Sequence, residues 1–191
     1  MGNRLSKIYT RTGDKGETGL GDGSRVSKSS LRIQAIGDTD ELNSCLGLLA
    51  SHLDKDDELQ PLLSQIQHDL FDIGGEMAMP GYELLKDNPV EELEAAIDQY
   101  NSQLPPLKDF ILPGGSQAAS FCHLARSVSR RTERTMIALA KEDEVTDKVR
   151  QYLNRLSDLL FVLARVIARR NGGSEVLWQS RLKDKSEAQS S

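Results

Sequence analysis

FILPGGSQAASFCHLARSVSRRTER, residues Phe110 to Arg134, decides how the rest of the chain is read. An aromatic-led turn passes through Pro113-Gly114-Gly115 and becomes a helix. On that helix Arg126, Arg130 and Glu133 stand at i, i+4 and i+7, within about 60° of arc. The larger apolar residues Phe121, Leu124, Val128 and Leu139 project to the far side. The pattern predicts a helix that buries one face and holds an anion on the other. A solvated basic face is the plainer reading of Arg130, Arg131 and Arg134. The preset spacing of Arg126, Arg130 and Glu133 favours the anion. So do Asn154-Arg155-Leu156-Ser157-Asp158 in the next helix and the aptitude of arginine for bidentate phosphate contact. His123 lies near this stripe, where a plain hydrogen-bonding role fits better than catalysis.

Working outward, the same 3.6-residue periodicity recurs. A helix is expected from Asp38, where Asp38 and Glu41 resemble a capping box, through Leu42, Cys45, Leu46, Leu49 and Leu53. Asp40 then reads most simply as a first-turn acid. A second helix is expected from about Asp57 to Met77 with Pro61 in its first turn. A third runs from Asn88-Pro89 to about Leu104, with a weaker stripe and so a peripheral place. The fourth spans about Gly115 to Ala140 and the fifth about Glu144 to Arg170, stopped by Gly172-Gly173. Short connections between such helices give an antiparallel bundle. The expected fold class is all-α, a five-helix bundle with a glycine-rich N-terminal arm. The chain 1–191 reads as a single domain, with an arm over 1–30, the bundle over 38–171 and a polar tail over 172–191. Residues 180–191 are expected to be disordered, with Trp178 packing on the bundle.

The arm is not helical in pattern. Gly13, Gly16, Gly19, Gly21 and Gly23 alternate with Thr10, Thr12, Thr18 and Ser24, and with Lys15, Arg25 and Lys28. Glycine density allows close backbone approach to a ligand, and successive N–H groups form anion nests. A flexible chain end explains the same composition, and both readings stand. The Walker pattern GxxxxGK[ST] is absent.

Composition narrows the classes. With 191 residues and a net charge of −5, the chain is long enough for a full core and lacks the basic excess of a general nucleic-acid binder. Cys45 and Cys122 are too few for a disulfide framework or thiolate metal site and read as buried thiols. Membrane-span length and a signal-peptide core are both lacking. Met1 to Ser6 fits the loose myristoylation pattern only in a eukaryotic host. The expected compartment is a reducing cytoplasm. No metal-ligand set is expected: His52, His68 and His123 follow Leu49, Gln65 and Ser120 at i−3, which rules out the Glu-x-x-His pairs of di-iron bundles. HExxH, CxxC and GxSxG are missing too. Anion recognition is what remains.

Seven ordered pieces carry a resemblance. They are Tyr9-Thr10-Arg11-Thr12-Gly13-Asp14-Lys15-Gly16, Arg25-Val26-Ser27-Lys28, Gly37-Asp38-Thr39-Asp40-Glu41-Leu42-Asn43, Leu112-Pro113-Gly114-Gly115, Ala125-Arg126, Arg130-Arg131-Thr132-Glu133-Arg134 and Asn154-Arg155-Leu156-Ser157-Asp158. In this order, and with Gln67 to Gly74 between, the chain resembles the PduO-type ATP:cob(I)alamin adenosyltransferases over residues 8 to about 170. The resemblance implies a ferritin-like five-helix bundle that assembles as a homotrimer with sites between subunits. It implies transfer of the 5′-deoxyadenosyl group of ATP to the cobalt of cob(I)alamin, with release of triphosphate and use of Mg²⁺. Thr10, Arg11, Thr12, Gly13, Thr18, Gly19 and Lys28 would bind ATP from the arm. Arg130, Arg131, Glu133, Arg134 and Asn154 would complete the nucleotide site from the adjacent subunit. Asp40 would pair with Arg126 across the interface, and Phe110 would sit against the lower face of cobalamin. A flavin-type reductase and an adenosylcobalamin-dependent mutase are the partners implied. Asp38 departs from the family, where many members carry a small uncharged residue. A nucleotide-binding regulator or corrinoid carrier on the same bundle, and a bundle with merely solvated charges, are the alternatives.

Overall fold

The structure, a computed structural model, describes residues 8–179. The expected five helices form: α1 Leu31–Ser51, α2 Gln60–Ala78, α3 Pro89–Asn101, α4 Gln117–Leu139 and α5 Asp147–Ala168. Ahead of them lies a two-stranded antiparallel hairpin, β1 Glu17–Gly19 and β2 Arg25–Ser27, in which Thr18 pairs with Val26. The Met1 to Ser6 pattern and the expected disorder of 180–191 lie outside the described residues.

Each helix buries the stripe its periodicity marks. Leu42, Leu46 and Leu49 of α1 meet Leu63, Ile66, Leu70 and Ile73 of α2, and Leu153, Leu156, Leu160 and Leu163 of α5 complete one core. Full burial of one such side chain contributes about 1.5–3 kcal/mol. Helix α1 packs on α2 and α4, α5 packs on α4 and α3, and α3 touches the bundle mainly through α5. A polar pair sits in the core: the Tyr152 hydroxyl donates to Asp69 Oδ2 at 3.0 Å, while Gln65 Nε2 donates to Oδ1 at 2.8 Å.

Two expectations are corrected. Helix α1 begins at Leu31, seven residues before Asp38, with Ser30 at the N-cap position. Asp38 and Glu41 therefore form no capping box, and Asp40 is no first-turn acid. The extra turns are held by Arg32, whose Nε donates to Asp143 Oδ2 at 2.9 Å and Nη1 to the Met77 carbonyl at 2.8 Å. Leu124 is not a core residue; it is 47% exposed, whereas Val128 and Leu139 are buried as expected.

Helix α4 starts where Gly115 takes φ +110°, a conformation that favours glycine, and a Cβ there would lie 3.0 Å from that of Ala168. Ser116 then caps the helix, accepting from the Ala119 N–H at 3.1 Å. The turn fixes where Phe110 enters relative to the arginine stripe.

Beyond α5 and a short 3₁₀ turn at Arg170–Gly172, the chain doubles back. Glu175 is gripped by Arg165, 2.9 Å from Nε, and by Arg169. Arg165 also donates to the Pro105 carbonyl at 2.8 Å. This clamp lays residues 176–178 against 110–112: the Leu112 N–H donates to the Val176 carbonyl, and Ile111 bridges Leu177.

Candidate functional site

The Phe110 segment, α4 and α5 enclose an open cavity of about 720 Å³ whose lining includes Phe110, Pro113, His123, Arg126, Phe161 and Trp178. The walls are mostly apolar, the character of a site for a large organic ligand. Phe110 stands at the rim, 78% exposed. Trp178 meets it edge-on with ring centroids 6.3 Å apart. Sequence reading put Trp178 on the bundle but missed its pairing with Phe110, and it missed Phe161 in this wall. Nothing local marks either residue, because their neighbours come from distant parts of the chain.

A smaller recess of about 250 Å³ holds Arg130, Ser157 and Asp158, and it shares Arg126 and Phe161 with the larger cavity. The two halves of the stripe thus border one continuous surface. Arg130 is exposed and, among the described residues, enters no ion pair. Arg134 donates back to the Arg130 carbonyl at 3.0 Å. Glu133 accepts from Asn154 Nδ2 at 3.0 Å, and Asn154 Oδ1 accepts from Arg155 Nη1 at 2.6 Å, so α4 and α5 are bridged beside the stripe. Burial, and next the neighbouring Arg130 charge, lower the pKa of the Arg126 guanidinium.

Arg131 sits differently from its neighbours. Its guanidinium pairs with Glu41 and lies 3.6 Å from Asp38 Oδ1, both on α1. Asp38 Oδ2 also accepts from the Thr135 hydroxyl at 2.6 Å. Asp38, expected from the sequence to cap a helix, is instead a tie between α1 and α4.

The arm folds on itself. The Thr10 and Thr12 hydroxyls hydrogen-bond at 2.8 Å, Arg25 Nη2 donates to the Thr12 carbonyl at 2.9 Å, and Arg11 lies over the Tyr9 ring. A Cβ at Gly13 would lie 3.0 Å from Lys28 Nζ, so the lysine crosses directly over that backbone. The arm is fastened by the Gly21 N–H, which donates to the Ala78 carbonyl at the end of α2 at 2.7 Å. Among the described residues no hydrogen bond joins the arm to α4 or α5. Thr10, Arg11, Thr12, Gly13, Thr18, Gly19 and Lys28 are gathered on the arm, apart from the stripe of Arg130, Glu133 and Arg134. Asp40 is exposed and makes no ion pair with Arg126 within the chain.

A family model described as cobalamin adenosyltransferase matches residues 8–167. The chain belongs to the cobalamin adenosyltransferase family. Among relatives in that family, the cobalamin adenosyltransferase of Cupriavidus metallidurans is 59% identical over 179 residues, covering 94% of this chain and 97% of that one. The corrinoid adenosyltransferase of Bacillus subtilis is 46% identical over 180 residues, covering 91% and 92%. A variant PduO-type ATP:corrinoid adenosyltransferase from Lactobacillus reuteri, solved in complex with cobalamin and ATP, superposes with a TM-score of 0.87. It is 36% identical, with coverage of 91% of this chain and 100% of that one. No helix among the described residues is long and apolar enough to cross a membrane.

Proposed function

We propose that the Phe110 cavity takes the corrin and the Arg130 stripe takes the triphosphate of ATP, in the adenosyl transfer from ATP to a corrinoid that family membership gives this enzyme. The observation that carries the assignment is the shared wall: Arg126 and Phe161 border both the apolar cavity and the arginine recess. A macrocycle and a polyanion fit side by side along that surface, as the transfer requires.

In the reaction cob(I)alamin is the nucleophile. Its cobalt electron pair forms a bond to C5′ of ATP while the C5′–O bond breaks, and that bonding pair leaves with triphosphate. The protein therefore needs no general base and no nucleophile of its own. Its work is to hold the two substrates in line and to stabilise the charge that builds on the leaving group. Arg130 and Arg134 do this from α4, and Lys28 with the backbone N–H groups around Gly13 and Gly19 does it from the arm. Thr10, Arg11, Thr12 and Thr18 orient the nucleotide. Glu133 and Asn154 fix the stripe, and Arg131, braced by Asp38 and Glu41, holds α4 on α1. Phe110 keeps water and the lower nitrogen ligand from cobalt, which leaves the metal four-coordinate and easier to reduce.

Among the described residues no hydrogen bond joins arm and stripe within one chain, and Asp40 and Arg126 form no ion pair within it. Both facts support a homotrimer in which one copy's arm completes its neighbour's site and an Asp40–Arg126 pair seals the boundary. Among the described residues no three His, Cys, Asp or Glu side chains converge to cage a metal. Mg²⁺ instead fits as a companion of the triphosphate, because it keeps waters and phosphate oxygens as ligands, with Glu133 the carboxylate offered by the stripe. When bound it supplies neutralising charge. A flavin-type reductase would deliver the electron to Co(II), an adenosylcobalamin-dependent mutase would take the product, and both would share a cytoplasmic location.

The test is to mix the protein anaerobically with Mg-ATP and chemically reduced cobalamin. Alkylated corrin and free triphosphate should appear in equal amounts. Binding of both substrates without product would overturn the proposal.

A further inference from the structure

Arg130 and Glu133 stand three residues apart on α4, a spacing at which opposite charges pair along a helix. They form no ion pair here, and among the described residues Arg130 enters none at all. Glu133 is engaged by α5 instead: its Oε1 accepts from Asn154 Nδ2 at 3.0 Å. Asn154 Oδ1 in turn accepts from Arg155 Nη1 at 2.6 Å, and Arg155 Nε donates to Glu94 Oε1 on α3 at 2.7 Å. Arg155 and Glu94 have no task in the chemistry above, yet they stand at the far end of a relay that ends beside Arg130.

We propose that Arg155 is a positioning residue for the nucleotide site. Through Asn154 it holds Glu133 on α5 and keeps that carboxylate from neutralising Arg130, a role that rests on the reading of the stripe as the triphosphate site.

The relay has one orientation. Arginine only donates, and an ionised carboxylate only accepts. The Asn154 amide between them therefore gives its carbonyl to Arg155 and its NH₂ to Glu133. Flipped, it would lose both bonds and set its oxygen against a carboxylate. Both ends of the amide meet a charged group, and such hydrogen bonds are about twice as strong as neutral ones. Without Arg155 the amide is tied at one end only, and it can follow Glu133 as the carboxylate turns back to Arg130. A polyanion arriving at the stripe would then meet a guanidinium already paired and a negative charge beside it. Arg155 and Glu94 are themselves 38% and 47% exposed. An ion pair that open adds little to stability, so removing Arg155 leaves the bundle folded and the effect falls on the site.

The experiment titrates inorganic triphosphate, without Mg²⁺, into the full-length protein and reads Kd by calorimetry, with KM for cobalamin measured alongside. Arg155→Met should raise Kd for triphosphate about fivefold, the worth of the exposed ion pair that forms in its place, and leave KM for cobalamin unchanged. Adding Glu133→Gln removes the competing charge and should bring Kd back to the wild-type value or below it. An unchanged Kd in Arg155→Met would overturn the inference. So would a loss that Glu133→Gln does not recover, or an equal rise in KM for cobalamin, since either gives Arg155 a direct contact or a packing role. Arg130→Ala separates the two levels. If it weakens triphosphate binding and Arg155→Met does not, only the relay fails. If neither weakens it, the stripe is not the triphosphate site and both readings fall.

Discussion

The backbone N–H of Trp178 donates to the carbonyl of Phe110 at 2.7 Å. Their rings meet edge-on at the mouth of the cavity, 6.3 Å apart. The residue at the rim is thus held by a segment whose anchor, Glu175, is clamped by Arg165 and Arg169. An aromatic contact of this kind contributes about 0.5–1.5 kcal/mol beyond its buried area. Trp178→Ala should therefore raise KM for the corrinoid by about three- to tenfold and leave ATP affinity, read by calorimetric titration, unchanged. A parallel loss of both affinities would assign Trp178 to general packing.

Asp38 provides a second prediction. Its carboxylate takes the Thr135 hydroxyl and faces the Arg131 guanidinium. Asp38→Ala removes the acceptor from a buried donor, the Thr135 hydroxyl, and should cost about 1–2 kcal/mol in urea denaturation. Asp38→Asn keeps an acceptor and should cost less than half of that. Equal costs would mean that the negative charge, rather than the hydrogen bond, makes the tie.

Much of the bundle was legible because a buried helical stripe is written in consecutive turns. Leu153, Leu156, Leu160 and Leu163 could hardly be read otherwise. The start of α1 was misread for a physical reason. Asp38 and Glu41 have the spacing of a cap, yet their partners are Arg131 and Thr135 on α4. A contact across 90 to 97 positions leaves no local trace. The same holds for Trp178 and Phe110, and for the hairpin, whose three-residue strands are too short to show alternation. The arginine stripe was legible because both its spacing and its chemistry are local. Its relation to the cavity was not, since Phe161 comes from α5.

The core polar pair gives a third prediction. Tyr152 is fully buried and its hydroxyl reaches Asp69, itself 3% exposed. Burial first, and then the Asp69 charge, push the Tyr152 pKa well up, so the phenol stays protonated and donates. Tyr152→Phe strips one donor from a buried carboxylate and should lower stability by about 1–3 kcal/mol, measured by chemical denaturation. No loss would mean that a water replaces the hydroxyl.

In the proposed homotrimer each site is built from two copies, with the arm of one beside the arginine stripe of the other. Lys28→Ala should disable the arm and Arg130→Ala the stripe, each leaving little transfer on its own. The decisive measurement is the adenosyl-transfer rate of the two variants co-assembled from a mixed, equimolar population. Random closed assembly gives about a quarter of the sites an intact arm facing an intact stripe, so activity should return to about a quarter of the wild-type rate. A mixture as inactive as its components would contradict the account and return arm and stripe to a single chain.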